Sequence, residues 1–183
     1  MTMLSVLVLA AVLHDPFARI QAKVPAAQAV ALPHTSDWAA RYITPPPGVG
    51  GLSGSELYLF PDGKYIYCEW ADVEPRTVYD KGEWTVTPHG IRLTSDRDVT
   101  WHPEIDRDLI AVRRPRHPNE VLLVGTGRPL EFLEMSDEDT IGTLAAVALV
   151  RERTLTAGAT DSWRASLMKE SWHPERFAPS KRR

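Results

Sequence analysis

Residues 64–70 read KYIYCEW, and this stretch constrains the possible fold more than any other part of the chain. Alternate side chains of a strand point to opposite faces, so Tyr65 and Tyr67 share one side while Ile66, Cys68 and Trp70 share the other. Both faces are apolar. Such a strand needs cover on two sides, which excludes a single-layer sheet with a solvated back. With ELYLF at 56–60 and the Pro61-Asp62-Gly63 turn between them, it reads as a hairpin.

The same grammar continues from residue 55 to about 134. Short apolar or alternating runs predict strands at 55–60, 64–70, 76–80, 83–87, 91–94, 99–102, 109–114, 120–125 and 130–134. Further turn residues stand at Lys81-Gly82, Pro88-His89-Gly90 and His117-Pro118-Asn119. No long helical pattern interrupts them, so an antiparallel meander closed as a barrel or folded as a sandwich is expected.

Helical signals lie on either side. HTSDWAARY at 34–42 predicts a short helix with Trp38 and Tyr42 on one face, and TPPPGVGGLSG at 44–54 breaks any regular element, so 30–54 is an N-terminal helix and linker. Downstream, Ser136 and Asp139 resemble a capping box, and Ile141, Leu144, Ala145, Ala148 and Leu149 repeat at helical spacing, predicting an amphipathic helix over 139–152. A second helix begins near Asp161, pairs Trp163 with Leu167 and Met168 with Trp172, and stops at His173-Pro174 ahead of a basic tail. These helices supply the second cover that KYIYCEW requires. The expected fold is mainly β (α+β): a small antiparallel β-barrel or bent sheet over 55–135, with the C-terminal helices of 136–183 packed outside in the same single domain.

Composition narrows the function classes. The 183 residues are 43% hydrophobic, enough for one proper core. The 21 basic and 24 acidic residues balance to −3, so no cationic field argues for nucleic acid or anionic lipid. LSVLVLAAVL at 4–13 is too short to span a bilayer and matches the apolar region of a secretory leader. Residues 1–29 are therefore read as a signal peptide, with small-residue cleavage sites ending at Ala22 and Ala29. The uncharged Met-Thr-Met start favours the competing reading, an N-terminal helix of the folded domain. The expected product is soluble, secreted or periplasmic, and without a transmembrane segment in the mature chain. Its lone Cys68 excludes an intramolecular disulfide and, in its alternating setting, reads as a small buried hydrophobe.

Motifs for chemistry are sparse. In GVGGLSGS a dinucleotide fingerprint fails at Ser53 and a nucleophile elbow fails at Ser55. Calcium loops fail at Trp101 and Arg107, and again at Ala148. The carboxylates between Glu69 and Asp108 read as solvated loop charges, with paired-carboxylate acid–base work as the enzymatic alternative. Trp101-His102-Pro103-Glu104 recurs as Trp172-His173-Pro174-Glu175. Histidine nitrogen and carboxylate oxygen suit zinc or another divalent ion, which makes His102, Glu104, His173 and Glu175 the candidate metal ligands. Their spacing matches no established metal motif, and Trp anchors with Pro terminators explain the echo structurally. No cofactor is called for.

Aromatic residues crowd the β region. Tyr65, Tyr67, Trp84 and Trp101 are the candidate ligand-facing set, since rings with polar tips suit a small-ligand pocket. Against this stands simple filling, because a barrel of about eight strands is just wide enough for its own side chains.

LYLFPDGKYIY followed by DKGEWTVTPHGIRL resembles the strand pattern of uncharacterised exported bacterial proteins with small lipocalin-like barrels: a Tyr-rich hairpin, Gly-x-Trp, a tight turn and an Ile-x-Leu strand. The likeness covers residues 55–95 and assigns no active residue. It implies a bacterial, exported protein with a small barrel; the aromatic β surface makes the first expectation a non-enzymatic domain binding a small apolar or amphipathic ligand or an envelope protein. The alternatives are a hydrolase or metal-dependent enzyme using the acidic loops or the WHPE pair, and a structural interaction protein using a sheet edge or the 139–152 helix.

Overall fold

The computed structural model describes residues 15–30, 32, 34–45, 51–96, 107–114, 117–135, 144 and 146–171. In chain order the elements are α1 (Pro16–Lys23), β1 (Gln28–Ala29), α2 (Thr35–Trp38), β2 (Ala40–Thr44), β3 (Ser53–Leu59), β4 (Lys64–Ala71), β5 (Glu74–Thr87), β6 (Gly90–Ser95), β7 (Asp108–Arg114), β8 (His117–Gly125), α3 (Arg128–Met135), β9 (Leu149–Thr154) and α4 (Ala157–Ser171). Strands β2 to β8 pair in sequence, and β9 pairs with both β8 and β2. That closes an eight-stranded antiparallel barrel. The short β1 adds to β7 beside the end of β6, through Gln28 opposite Arg113 and Ala29 opposite Val112.

Closure divides the side chains by the pleat. Tyr42, Leu57, Leu59, Tyr65, Tyr67, Trp84, Ile91, Leu93, Leu109, Ala111, Val121, Leu123 and Leu149 all turn into one buried lumen cluster. Every barrel strand contributes to it. Trp38 of α2 joins the cluster and is 1% exposed, so the chain before β2 plugs one end of the lumen.

The alternate residues face outward beneath two helical covers. Ile110, Val112, Leu122, Val124 and Val150 pack under Ile20 of α1, Val24 just after it, and Leu130 and Leu133 of α3. Tyr58, Phe60, Ile66, Cys68 and Val78 pack under Leu155, Trp163 and Leu167, on and before α4. The two apolar faces of KYIYCEW are thus satisfied as expected, one by the lumen and one by the C-terminal helix.

Several elements depart from the sequence expectation. β5 is one continuous strand of 14 residues rather than two, because Lys81 and Gly82 carry the ladder on, opposite Ile66 and Tyr65, instead of turning. At Gly82 a Cβ would collide with the Thr94 carbonyl, so glycine here permits close approach of β6. The true turn at 61–63 does use a left-handed glycine, Gly63 at φ 80°. Residues 130–134 form helix, not strand: Pro129 suits a first turn, and Leu130 and Leu133 bury one helical face while Phe132 and Met135 stay exposed. Conversely, 149–154 is strand rather than the end of the helix expected over 139–152, because Leu149 and Val150 complete the barrel. Only four residues, Thr35–Trp38, form the helix of HTSDWAARY, and Tyr42 sits on β2. The strand expected at 99–102 lies outside the described residues. Segment 15–29, expected within a leader, carries α1 and β1, with Asp15 capping Phe17 N at 2.9 Å.

Candidate functional site

Opposite the plugged end, the lumen finishes in polar groups. β4 and β5 run side by side with Tyr65 opposite Gly82 and Tyr67 opposite Asp80, and two-residue steps bring Asp80, Gly82 and Trp84 to the inward face of β5. Asp80 is 6% exposed and fully partnered. Its Oδ2 accepts from the Tyr65 hydroxyl at 2.7 Å and from Arg107 Nη1 at 2.5 Å, while Oδ1 accepts from Ser95 Oγ at 2.6 Å and Lys81 N at 3.0 Å. Arg107 Nη1 also donates to the Tyr65 oxygen at 3.0 Å. The Arg107 carbonyl in turn accepts from Leu93 N at 2.7 Å, which ties the foot of β7 to β6.

Beside this group, the Tyr67 hydroxyl donates to Glu69 Oε1 at 2.8 Å and stands 2.9 Å from Ser55 Oγ. Two phenols, two carboxylates, two serine hydroxyls and a guanidinium therefore meet at one end of an apolar lumen. Burial, followed by the charge and hydrogen bond of Asp80, holds the Tyr65 phenol well above its ordinary range, so it works as a neutral donor. For Arg107, burial opposes the charge and the Asp80 carboxylate outweighs it, keeping the guanidinium firmly protonated. Its side chain is 30% exposed, so the cation sits where solvent and solute reach it. The arrangement offers oriented donors and acceptors for a polar head group, and the Asp80 carboxylate is held in place by Arg107 and Tyr65.

Three of the four ligand-facing candidates share the lumen. Tyr65, Tyr67 and Trp84 lie in the lumen cluster at 1%, 3% and 3% exposure. Trp84 stands on the side toward the plug, donating from Nε1 to the Phe60 carbonyl at 3.0 Å. Trp101 lies outside the described residues, as do all four metal candidates, His102, Glu104, His173 and Glu175. Among the described residues no group of three metal-ligating side chains converges. Glu69 and Asp80 fall among the carboxylates that the sequence reads as solvated loop charges, but both lie on strands and Asp80 is buried; Arg107, Ser55 and Ser95 are not candidates in the sequence. Asp80 was legible in retrospect, two strand steps before the inward Trp84; Arg107 carried no local signal.

A second polar network lies on the outer wall. Glu56, 5% exposed, accepts from Arg41 at 2.8 Å, Arg76 at 3.2 Å and the Tyr58 hydroxyl at 2.5 Å, and Arg41 reaches on to Glu152 at 2.6 Å. This network joins β2, β3, β5 and β9 across the barrel surface. Beside it Cys68, in the outer-wall cluster under α4, is free and buried, and burial pushes its thiol up to about 12, so it is inert at rest.

Comparison with protein-family models, curated proteins and solved structures finds no match for this chain.

Proposed function

We propose that the protein is a non-enzymatic binding module that takes a small amphipathic molecule at the polar end of its barrel. The observation that carries this reading is the cluster of Tyr65, Tyr67, Asp80 and Arg107 at the end of the lumen opposite the Trp38 plug. Concave, mostly apolar sites with a few convergent polar groups are the usual form of a small-ligand pocket. Side chains fill the lumen depth, so the ligand's apolar part rests against the rim while its polar head meets Arg107 and the tyrosine hydroxyls. The eight-stranded barrel supports the lipocalin-like comparison, and the apolar run at 4–13 supports export to the periplasm or medium.

Native mass spectrometry of protein purified gently from an exporting host tests the reading. A reproducible added mass, lost on denaturation and reduced at least tenfold in occupancy by Tyr67→Ala with the fold retained, is the expected result. A clean apo species, or loss of stability in Tyr67→Ala with unchanged binding, would count against a pocket.

A further inference from the structure

The outer wall under α4 differs from the wall under α1 and α3 in how its cover is attached. α3 lies between β8 and β9, and α1 leads into β1, so strand pairings bracket the first cover. α4 follows β9, and no described strand comes after it. The barrel closes through β9 pairing with β8 and β2 alone, so lifting α4 breaks no strand pairing.

Its described anchors are identifiable. Among the described side chains of α4, Leu167 and Thr160 are buried and Trp163 is half-buried, with Leu155 at the hinge just before the helix. Asp161, Ser162, Ala165 and Ser166 face solvent. Trp163 lies against Tyr58 with ring centres 6.1 Å apart, and the Arg153 guanidinium sits 4.1 Å over the Trp163 ring. Arg164 donates to Asp62 Oδ2 at 2.7 Å and lies 4.7 Å over the Phe60 ring, clasping α4 to the turn at 61–63. The clasp residues are partly exposed, so the ion pair holds geometry more than it adds stability.

We infer that α4 is a releasable strap: it opens locally, without unfolding of the barrel, and uncovers an apolar face of Tyr58, Phe60, Ile66, Cys68 and Val78. Local openings draw on segments with few buried contacts and no share in the central hydrogen-bond ladder; α4 has no share in the ladder, and its Asp161, Ser162, Ala165 and Ser166 side chains face solvent. The face it uncovers is rimmed by the Glu56–Arg41 ion pair, so the strap separates a closed surface from one with an apolar centre and a polar edge. Cys68 lies within that face and reports its opening.

The test uses the full chain and an aromatic disulfide reagent that labels accessible thiolate. Cys68 modification of the folded protein is expected to depend only weakly on sub-denaturing urea, as a local opening does, and to quicken about tenfold or more in Trp163→Ala. Asp62→Asn, which removes only the clasp, is expected to raise the rate several-fold at unchanged barrel stability. Leu133→Ala, on the opposite wall, serves as the control that lowers global stability without quickening labelling in the absence of urea. Amide exchange measured by mass spectrometry should show 157–167 exchanging ahead of β4. If labelling rises steeply with urea in step with global unfolding, or neither Trp163→Ala nor Asp62→Asn changes it, α4 is a fixed part of the core and the strap is wrong.

Discussion

At the scale of a residue, Glu56 decides how two arginines can be tolerated on a barrel wall. Burial raises the cost of its charge, and hydrogen bonds from Tyr58 and Arg41, with the charges of Arg41 and Arg76, outweigh that cost and hold the carboxyl below its ordinary value. Its folded-state value thus lies below its unfolded one. The contribution is whole above the unfolded carboxylate range and is lost as pH falls through the folded value. Glu56→Gln is expected to cost about 2–4 kcal/mol at neutral pH, because it leaves two guanidiniums facing a neutral amide. Urea unfolding across a pH series should show the gap to wild type narrowing on the acid side; a gap constant with pH would mean that packing, not charge, holds the network. Nothing in the local sequence marked Glu56 apart, since ELYLF alternates as any half-buried strand does. Its partners come from β2 and β5, at separations of 15 and 20 residues, which no local pattern joins. The site on the lumen side divides in the same way: Tyr65 and Tyr67 were legible because alternation alone sets the face of a strand residue, whereas Arg107 reaches Asp80 across 27 residues of sequence.

At the scale of an element, burial competes with periodicity, and RPLEFLEM shows which prevails. LEFLE reads equally as an alternating strand, but the helix brings Leu130 and Leu133 together on the barrel and releases Phe132 to solvent. Leu133 is fully buried and Phe132 is 57% exposed, so the two positions should respond in opposite ways to truncation. Leu133→Ala is expected to cost about 2–5 kcal/mol through lost contacts and a cavity, and Phe132→Ala no more than about 0.5 kcal/mol. Thermal unfolding of the pair measures both. A larger loss at Phe132 would return this segment to a strand with Phe132 inward. β9 presents the converse case: LVRERT carries three consecutive charged residues and no strand signature of its own, yet it completes the closure of the barrel. Closure is a property of eight strands together, so the strand that completes it has no need of a strong pattern.

At the scale of the whole molecule, the barrel requires cover on both outer walls, and one of those covers lies where the sequence suggests a leader. Ile20, Val24 and Ala27 are 0–1% exposed against β7, β8 and α3, and Arg19 binds both oxygens of Glu134 at 2.7 Å. Burying an aliphatic side chain of this size contributes roughly 1.5–3 kcal/mol. Ile20 and Val24 together therefore supply an amount comparable with much of the 5–15 kcal/mol that stabilises a typical domain. Cleavage after Ala22 would remove Ile20, and cleavage after Ala29 would remove all three residues and the β1 pairing. Either cut strips cover from the wall of Ile110, Val112, Leu122 and Val124, leaving α3 to shield it with less help, and newly exposed apolar surface promotes association. A chain begun at Val30 should accordingly melt many degrees lower than one begun at Asp15, or aggregate. N-terminal sequencing of exported protein is expected to find α1 retained. An exported, monomeric protein beginning at Val30 with undiminished stability would show instead that the barrel stands without this wall, and that α1 belongs to the leader.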